Sequence, residues 1–186
     1  MRPELEIRPD DHVQGSAQAP LTLLAYGDYE CSYCGQAYYE IQEARRTLGP
    51  ALRFAFRNLP LTELHPSALA AAQVAEAAAL QGKYWWMHEG LYELQQELSP
   101  ENFLVLAAEL DLDLRRFEND VAGPRVVRRI RRDLTTAEAL DVQSTPSFFI
   151  NGHRYQGLFA DGALTLVLKQ LLSTGAEASD QAAGGL

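Results

Sequence analysis

The chain has 186 residues, which fits one domain with room for an insertion. Its 16 basic and 25 acidic residues give a formal net charge of −9, which argues against nucleic acid as a partner because phosphate contacts need a basic surface. No apolar run is long enough for a membrane-spanning helix, so no membrane span is expected.

The N-terminal segment, residues 1–19, is polar and contains Pro, Gly and Asp, so we predict an irregular lead-in. It has neither the apolar stretch nor the small-residue cleavage site of a secretory signal. The sequence as written therefore predicts a cytoplasmic protein. An exported protein is the alternative if a leader has been removed.

The next three segments predict a strand, a helix and a second strand. Residues 21–26 form a short apolar run typical of a buried strand, and residues 31–48 carry apolar side chains near helical spacing. In residues 51–57, Leu52, Phe54 and Phe56 fall on one face and Arg53 and Arg57 on the other, as in a strand with one buried face. The two cysteines of the chain, Cys31 and Cys34, therefore fall at the first junction between a strand and a helix.

Residues 62–140 are rich in Ala, Leu, Glu and Arg, which are strong helix formers. Turn and capping signals divide this stretch into four or five predicted helices. Ser99 and Pro100, for example, are residue types favoured at a helix N-cap and at the first helical position. One predicted helix has arginines along a single face, which we interpret as a solvated surface: Arg125, Arg128, Arg129 and Arg132.

The C-terminal part predicts a hairpin and a closing helix. Residues 147–150 and 153–155 are short runs with apolar side chains, and they flank an Asn-Gly pair at 151–152, which is a strong hairpin signal. Residues 160–172 predict an amphipathic helix. Residues 173–186 have the composition of a disordered tail.

This order of elements is the one expected of an α/β, thioredoxin-like fold with an inserted all-helical subdomain. The thioredoxin-like domain would be discontinuous and would comprise residues 12–61 and 141–172. The helical subdomain would comprise residues 62–140, and the tail would lie outside both.

The chemistry is concentrated in Cys31-Ser32-Tyr33-Cys34 at a predicted helix N-terminus. The first amides of a helix have no partner within the helix, and the helix dipole adds partial positive charge there. Both effects stabilise a thiolate and lower its pKa. We therefore expect Cys31 to be the attacking sulfur, and Cys34, one turn further in, to be less exposed and to resolve the mixed disulfide.

A Cys pair can also belong to a structural zinc site or be chemically idle. A structural zinc ion needs four ligands, and the sequence has no second CxxC motif and only scattered histidines. Two idle buried cysteines are the other alternative, against which their position at the strand–helix junction argues. No metal or other cofactor is therefore expected beyond the redox-active disulfide itself.

A second signal is Thr145-Pro146, directly before the predicted strand at 147–150. Proline cannot donate to a strand ladder and is tolerated where a strand begins. A trans bond is the ordinary interpretation, since X-Pro bonds in folded proteins are cis in only about 5% of cases. In a thioredoxin-like fold, a cis bond here would let the Thr145 backbone pair with an extended peptide.

Three spaced motifs resemble the DsbA-like thiol–disulfide oxidoreductases. They are LAYGDYECSYC at residues 24–34, NLPL, HPSA and QGKYWWMH within residues 58–88, and STPSFFINGHRYQG at residues 144–157. The chain is most similar to the short members related to BdbD and to the thioredoxin domains fused to sodium/proton antiporters. The resemblance covers about residues 12–172.

The resemblance implies a thioredoxin fold with an inserted helical domain. It implies that Cys31 and Cys34 are the redox pair, that Pro146 is cis and that Thr145 helps to bind substrate. The substrates would be Cys-containing polypeptides. A redox partner would reset the pair after each turnover.

This chain departs from the family pattern at two places near the cysteines. The dipeptide between them, which tunes the thiolate in the family's CPxC form, is Ser32-Tyr33. Many relatives carry a Glu in the first strand beneath the pair, where this chain has Ala25. Asp28 and Glu30 are then the candidates for proton transfer, besides water, although their negative charge opposes thiolate formation.

These observations predict a thiol–disulfide oxidoreductase, and two alternatives remain. A glutathione-dependent isomerase or transferase on a related fold would not need Cys34. A redox-responsive holdase would use an aromatic patch around Trp85 and Trp86, whose ordinary interpretation is core packing. His65 and His88 are interpreted as packed or capping histidines. The direction of electron flow and the resetting partner do not follow from the sequence.

Overall fold

The computed structural model describes residues 2–174. Most of the predicted tail, residues 175–186, lies outside the described residues, while residues 173 and 174 belong to the last helix. The strands are β1 (His12–Gln14), β2 (Leu21–Gly27), β3 (Leu52–Asn58), β4 (Ser147–Ile150) and β5 (His153–Tyr155). The helices are α1 (Ser32–Leu48), α2 (Ala68–Ala79), α3 (Tyr84–Glu93), α4 (Pro100–Glu109), α5 (Leu114–Val121), α6 (Pro124–Ala139) and α7 (Ala163–Thr174). Short 3₁₀ turns occur at Pro3–Leu5, Gly49–Ala51 and Gln95–Glu97.

The five strands form one sheet in the order β1-β3-β2-β4-β5. The central strands β2 and β3 are buried at six of their seven positions, because other strands pair with both of their edges. The expected β4–β5 hairpin is confirmed, with Ile150 opposite His153. Its turn residues Asn151 and Gly152 have φ angles of 48° and 81°, the left-handed values that an Asn-Gly hairpin turn requires.

The prediction that residues 1–19 are irregular is wrong at His12–Gln14. These residues form β1, which pairs antiparallel with β3 and places Val13 opposite Ala55. The strand is only three residues long and has no alternation of apolar side chains. Its identity as a strand therefore comes from pairing with β3 rather than from its own sequence.

The helical insertion is confirmed and contains five helices, α2 to α6. Two of them begin at side-chain caps: Ser99 Oγ accepts a hydrogen bond from Asn102 N at 3.2 Å, and a carboxylate oxygen of Asp113 accepts one from Arg116 N at 3.0 Å. Helix α2 is largely alanine, and it contacts α3, α4, α5 and α6. Small side chains allow this one helix to be approached closely by several neighbours.

A buried polar network crosses the insertion, and it contradicts the interpretation of the arginine stripe as a wholly solvated face. Arg129 is buried and forms ion pairs with Asp133 at 3.4 Å and Glu76 at 3.8 Å. Asn58 Nδ2 donates to the same Glu76 carboxylate at 2.7 Å, and the Asn58 N–H donates to Asp133 at 3.0 Å. Arg125 is exposed as expected. The network ties the end of β3 to helices α2 and α6.

Contacts group the chain into two compact units. One comprises Met1–Ala25, Gln36–Phe56 and the residues from Phe148 onward, and the other comprises Tyr26–Gly35 and Arg57–Ser147. The boundaries of these units differ from those of the thioredoxin-like domain and helical subdomain expected from the sequence. That division into domains stays a prediction. The second unit contains the CxxC segment, the five insertion helices and Thr145-Pro146 together. All the predicted site residues therefore lie within one unit.

Candidate active site

Cys31 lies immediately before α1, where the helix presents its first amides. Its carbonyl accepts hydrogen bonds from Cys34 N at 2.9 Å and Gly35 N at 3.1 Å, which begin the helix. Cys31 and Cys34 are 6% and 2% exposed, and neither is in a disulfide bond. The structure thus brings both cysteines together at the helix N-terminus, with Cys34 the less exposed of the two.

The two thiols differ in acidity. The pKa of Cys31 is lowered to about 5, chiefly by a hydrogen bond from Cys34 and further by the backbone amides of Cys34 and Tyr33, against the opposing effect of burial. Burial raises the pKa of Cys34 well above its usual value, and the neighbouring Cys31 raises it more. At neutral pH, Cys31 is therefore a thiolate and Cys34 a thiol, which is the asymmetry that a nucleophile and a resolving cysteine require.

The Thr145–Pro146 peptide bond is cis, as the family resemblance implies. The Thr145 carbonyl oxygen lies 3.4 Å from the Cys31 sulfur and accepts a hydrogen bond from it when Cys31 is protonated. Thr145 itself is buried at the start of the segment that leads into β4. Thr145 thus lies next to Cys31, and its role in substrate binding stays a prediction.

Asp28 is anchored by three hydrogen bonds. Its buried carboxylate accepts from Glu30 N at 2.8 Å, from Leu61 N at 2.9 Å and from His65 Nδ1 at 2.8 Å. The Asp28 N–H donates to Cys34 Sγ at 3.4 Å. Asp28 therefore orients the segment before the cysteines, and its role in proton transfer stays a prediction.

The second candidate for proton transfer, Glu30, points to another helix. Its carboxylate accepts a hydrogen bond from Ser67 N at 2.6 Å, just before α2.

His65 was expected to pack or cap, and it is instead the partner of Asp28. Burial opposes the charged imidazole, but the hydrogen bond and the charge of Asp28 outweigh it and raise the pKa of His65. Both acids near the cysteines therefore have hydrogen-bond donors: His65 for Asp28 and the Ser67 N–H for Glu30.

The dipeptide Ser32-Tyr33 is exposed in the first turn of α1, and Tyr33 retains 62% of its surface. Its role in tuning the thiolate stays a prediction. Ala25 is buried in β2, so the family position of the acidic side chain holds a methyl group.

An aromatic cluster behind the site was not found from the sequence. The Tyr29 hydroxyl hydrogen-bonds His88 Nδ1 at 2.9 Å and lies 3.3 Å from the Tyr84 hydroxyl. The centroids of the Tyr29 and Tyr92 rings are 5.0 Å apart. Burial raises the pKa of all three tyrosines well above the usual value, so they are neutral. His88 is packed, as expected. The exposed aromatic of the neighbouring sequence is Trp86.

Gln95 is a second residue that sequence reasoning missed. Its amide nitrogen donates to the Tyr29 carbonyl at 2.8 Å and to the Cys31 carbonyl at 2.9 Å. It lies in the 3₁₀ turn after α3, and no motif marks it.

Within residues 2–174, no group of three or more His, Cys, Asp or Glu side chains is arranged to hold a metal ion.

Comparisons with known proteins agree with this geometry. The model of a family described as thioredoxin matches residues 8–170. The chain belongs to this thioredoxin family. With the described sheet and helical insertion, this confirms the α/β thioredoxin-like fold expected from the sequence.

Two solved structures extend the similarity. A thioredoxin-like oxidoreductase from Silicibacter pomeroyi is 27% identical, with a TM-score of 0.81 over 94% of this chain and 98% of the other. Oxidised BdbD from Bacillus subtilis is 20% identical, with a TM-score of 0.77 over 88% of this chain and 93% of the other. The expected similarity to BdbD is confirmed at the level of the fold.

Curated relatives include longer proteins. The Na(+)/H(+) antiporter NhaA 3 of Salinispora tropica is 44% identical over 160 residues, which are 86% of this chain and 24% of the antiporter. The chain thus spans about a quarter of the length of that relative. None of the helices in the described part of this chain has the length and apolarity needed to cross a membrane.

Proposed function

We propose that the chain is a protein dithiol–disulfide oxidoreductase, in which Cys31 exchanges disulfides with Cys-containing polypeptides and Cys34 resolves the mixed disulfide. One observation carries the proposal. An acidic thiol at the N-terminus of α1 lies 3.4 Å from the Thr145 carbonyl, with a buried, weakly acidic thiol one turn behind it. This arrangement supports attack and departure at Cys31, while it protects Cys34 from external disulfides.

The oxidative direction has two exchange steps. A substrate thiolate attacks the Cys31 sulfur of the Cys31–Cys34 disulfide, so a substrate–Cys31 bond forms and Cys34 leaves and takes up a proton. A second substrate thiolate then attacks the substrate sulfur of the mixed disulfide. The substrate disulfide forms, Cys31 leaves as a thiolate, and two electrons have passed from the substrate to the pair.

The acidity of Cys31 favours disulfide donation as the direction. A thiolate stabilised in the reduced protein makes reduction of the disulfide more favourable and makes Cys31 a good leaving group. A donor must be reset by a partner that withdraws two electrons, and it needs an oxidising compartment. This favours the exported alternative over the cytoplasmic one. In a reducing compartment, the same steps would run in reverse.

The test is to trap the mixed disulfide. The reduced Cys34→Ser variant is incubated at pH 7 with a fluorescent peptide that contains one disulfide, and adducts are separated without reductant. We expect a peptide adduct on Cys31 that dithiothreitol releases. The matched Cys31→Ser variant keeps only the buried Cys34 and is expected to give little adduct. Equal or greater trapping through Cys34 would overturn the assignment of roles.

Two further assays separate the alternatives. Full activity of Cys34→Ser with glutathione as the thiol would favour the glutathione-dependent isomerase or transferase. Suppression of client aggregation that survives Cys31→Ser and Cys34→Ser together, without any peptide trapping by Cys34→Ser, would favour the holdase.

A further inference from the structure

The segment that carries the nucleophile is held from outside its own helix. The Tyr29 and Cys31 carbonyls both point to one side-chain amide, that of Gln95, at 2.8 and 2.9 Å. Two carbonyl acceptors can be satisfied only by the NH₂ group of an amide, so these partners fix its orientation. Gln95 thus bridges the residue two before the nucleophile and the nucleophile itself.

The remaining side of the Gln95 amide faces α1. Its carbonyl oxygen lies where a Cβ at Gly35 would stand, and the Gln95 Cδ would be 3.0 Å from that Cβ. Gly35 also donates its N–H to the Cys31 carbonyl at 3.1 Å. The absence of a side chain at Gly35 therefore creates the space in which the Gln95 amide reaches the active-site segment.

The other side of the segment is already fixed by Asp28, whose carboxylate accepts from Glu30 N and whose carbonyl accepts from Cys31 N at 3.3 Å. Asp28 restrains the backbone before Cys31, whereas Gln95 restrains the Cys31 carbonyl directly. Together, the bonds to the Cys31 N–H and carbonyl fix the direction of its Cα–Cβ bond, from which the sulfur projects.

We propose that Gln95 is a positioning residue whose amide holds the Cys31 carbonyl and so keeps the Cys31 sulfur over the first amides of α1. The inference rests on the proposed function, in which the Cys31 thiolate is the reacting group. The Gln95 amide bonds the Tyr29 and Cys31 carbonyls rather than acting on the reacting sulfur itself. Its effect is to preserve the position in which the Tyr33 and Cys34 amides stabilise the thiolate.

The first test is the Gln95→Met variant, which keeps the length of the side chain and removes its N–H donors. The readout is the pH profile of thiolate absorbance at 240 nm in the reduced protein, where Cys34 stays protonated. We expect the Cys31 midpoint to move to higher pH and the thiolate at pH 5 to fall by about two- to tenfold, the effect of one or two lost hydrogen bonds. An unchanged midpoint in a folded variant would overturn the proposal.

Gln96→Met is the matched control, because Gln96 is the exposed next residue of the same turn. It should leave the midpoint unchanged, and an equal shift in both variants would show a general effect of the turn and overturn the proposal. This titration requires no substrate. A midpoint shift without peptide trapping by Cys34→Ser would therefore overturn the proposed function alone, while trapping with no shift would overturn the role of Gln95.

A second pair of variants keeps the idea testable if Gln95→Met fails to fold. Gly35→Ala should shift the Cys31 midpoint because its new methyl group displaces the Gln95 amide. Adding Gly35→Ala to Gln95→Ala should cause no further shift, since the amide is already gone. Additive shifts in the double variant would mean that the two positions act separately, and would overturn the proposal.

Discussion

Removing the thiol of Cys34 is expected to make Cys31 a weaker acid. The Cys34 hydrogen bond is the largest contribution that lowers the pKa of Cys31 to about 5. Cys34→Ala deletes that donor and leaves the backbone amides of Tyr33 and Cys34 in place. Cys34→Ser supplies an O–H donor at the same position, so the two variants separate the hydrogen bond from the rest of the helix N-terminus.

The magnitude follows from the worth of a hydrogen bond to a charged group, about 1.5–3 kcal/mol, against about 1.4 kcal/mol for a tenfold change in acidity. A pKa of about 5 leaves roughly three-quarters of Cys31 as thiolate at pH 5.5. In Cys34→Ala, the thiolate should fall to between about 2% and 20% at that pH. Cys34→Ser should lie between the wild type and Cys34→Ala.

The assay is the rate of alkylation of Cys31 by iodoacetamide from pH 3.5 to 8.5, with the adduct located by mass. The midpoint of the profile is compared rather than the plateau rate, because intrinsic nucleophilicity also changes with thiol acidity. Identical midpoints for the wild type and Cys34→Ala would refute the reasoning. They would assign the acidity of Cys31 to the helix amides instead.

Two further predictions concern stability, both read from urea unfolding. Asp133→Ala removes one of the two buried carboxylate partners of Arg129 and the acceptor of the Asn58 N–H, and should cost about 3–5 kcal/mol; a loss below about 1 kcal/mol would contradict the buried network. His65→Gln keeps a donor for Asp28 without the charge. Because the pKa of His65 is raised, its charge stabilises the fold below pH 6.5 and this effect is lost as pH rises through the folded pKa. The variant should therefore lose about 0.5–1 kcal/mol at pH 5.5 and less at pH 8.5, whereas equal losses would exclude an effect of charge.

Local sequence patterns predicted most of the elements near the site. The apolar run of β2, the helix after the cysteines and the capped start of α4 at Ser99 depend on interactions within a few residues, which a sequence displays directly. The cis bond before Pro146 was implied by its position in the presumed fold and by family resemblance. It depends on tertiary context, since X-Pro alone favours trans.

The parts that were missed depend on distant partners. Helix α3 ends at Glu93 and Gln95 enters a 3₁₀ turn, where its amide bonds the Tyr29 and Cys31 carbonyls, and nothing in the local sequence marks these partners. Arg129 was placed on a solvated face because helical spacing alone cannot reveal acids on neighbouring elements. In both cases, the deciding contacts lie tens of residues away in the chain.

The redox equilibrium of the cysteine pair tests the central claim most directly. The protein is equilibrated in glutathione buffers of known potential, and the thiols are counted by alkylation and mass. The account predicts that Cys31 and Cys34 oxidise together to one intramolecular disulfide, with a midpoint between about −120 and −270 mV, the range from DsbA to thioredoxin. A midpoint below about −300 mV, typical of structural disulfides, or stable glutathione adducts without an intramolecular bond, would contradict it.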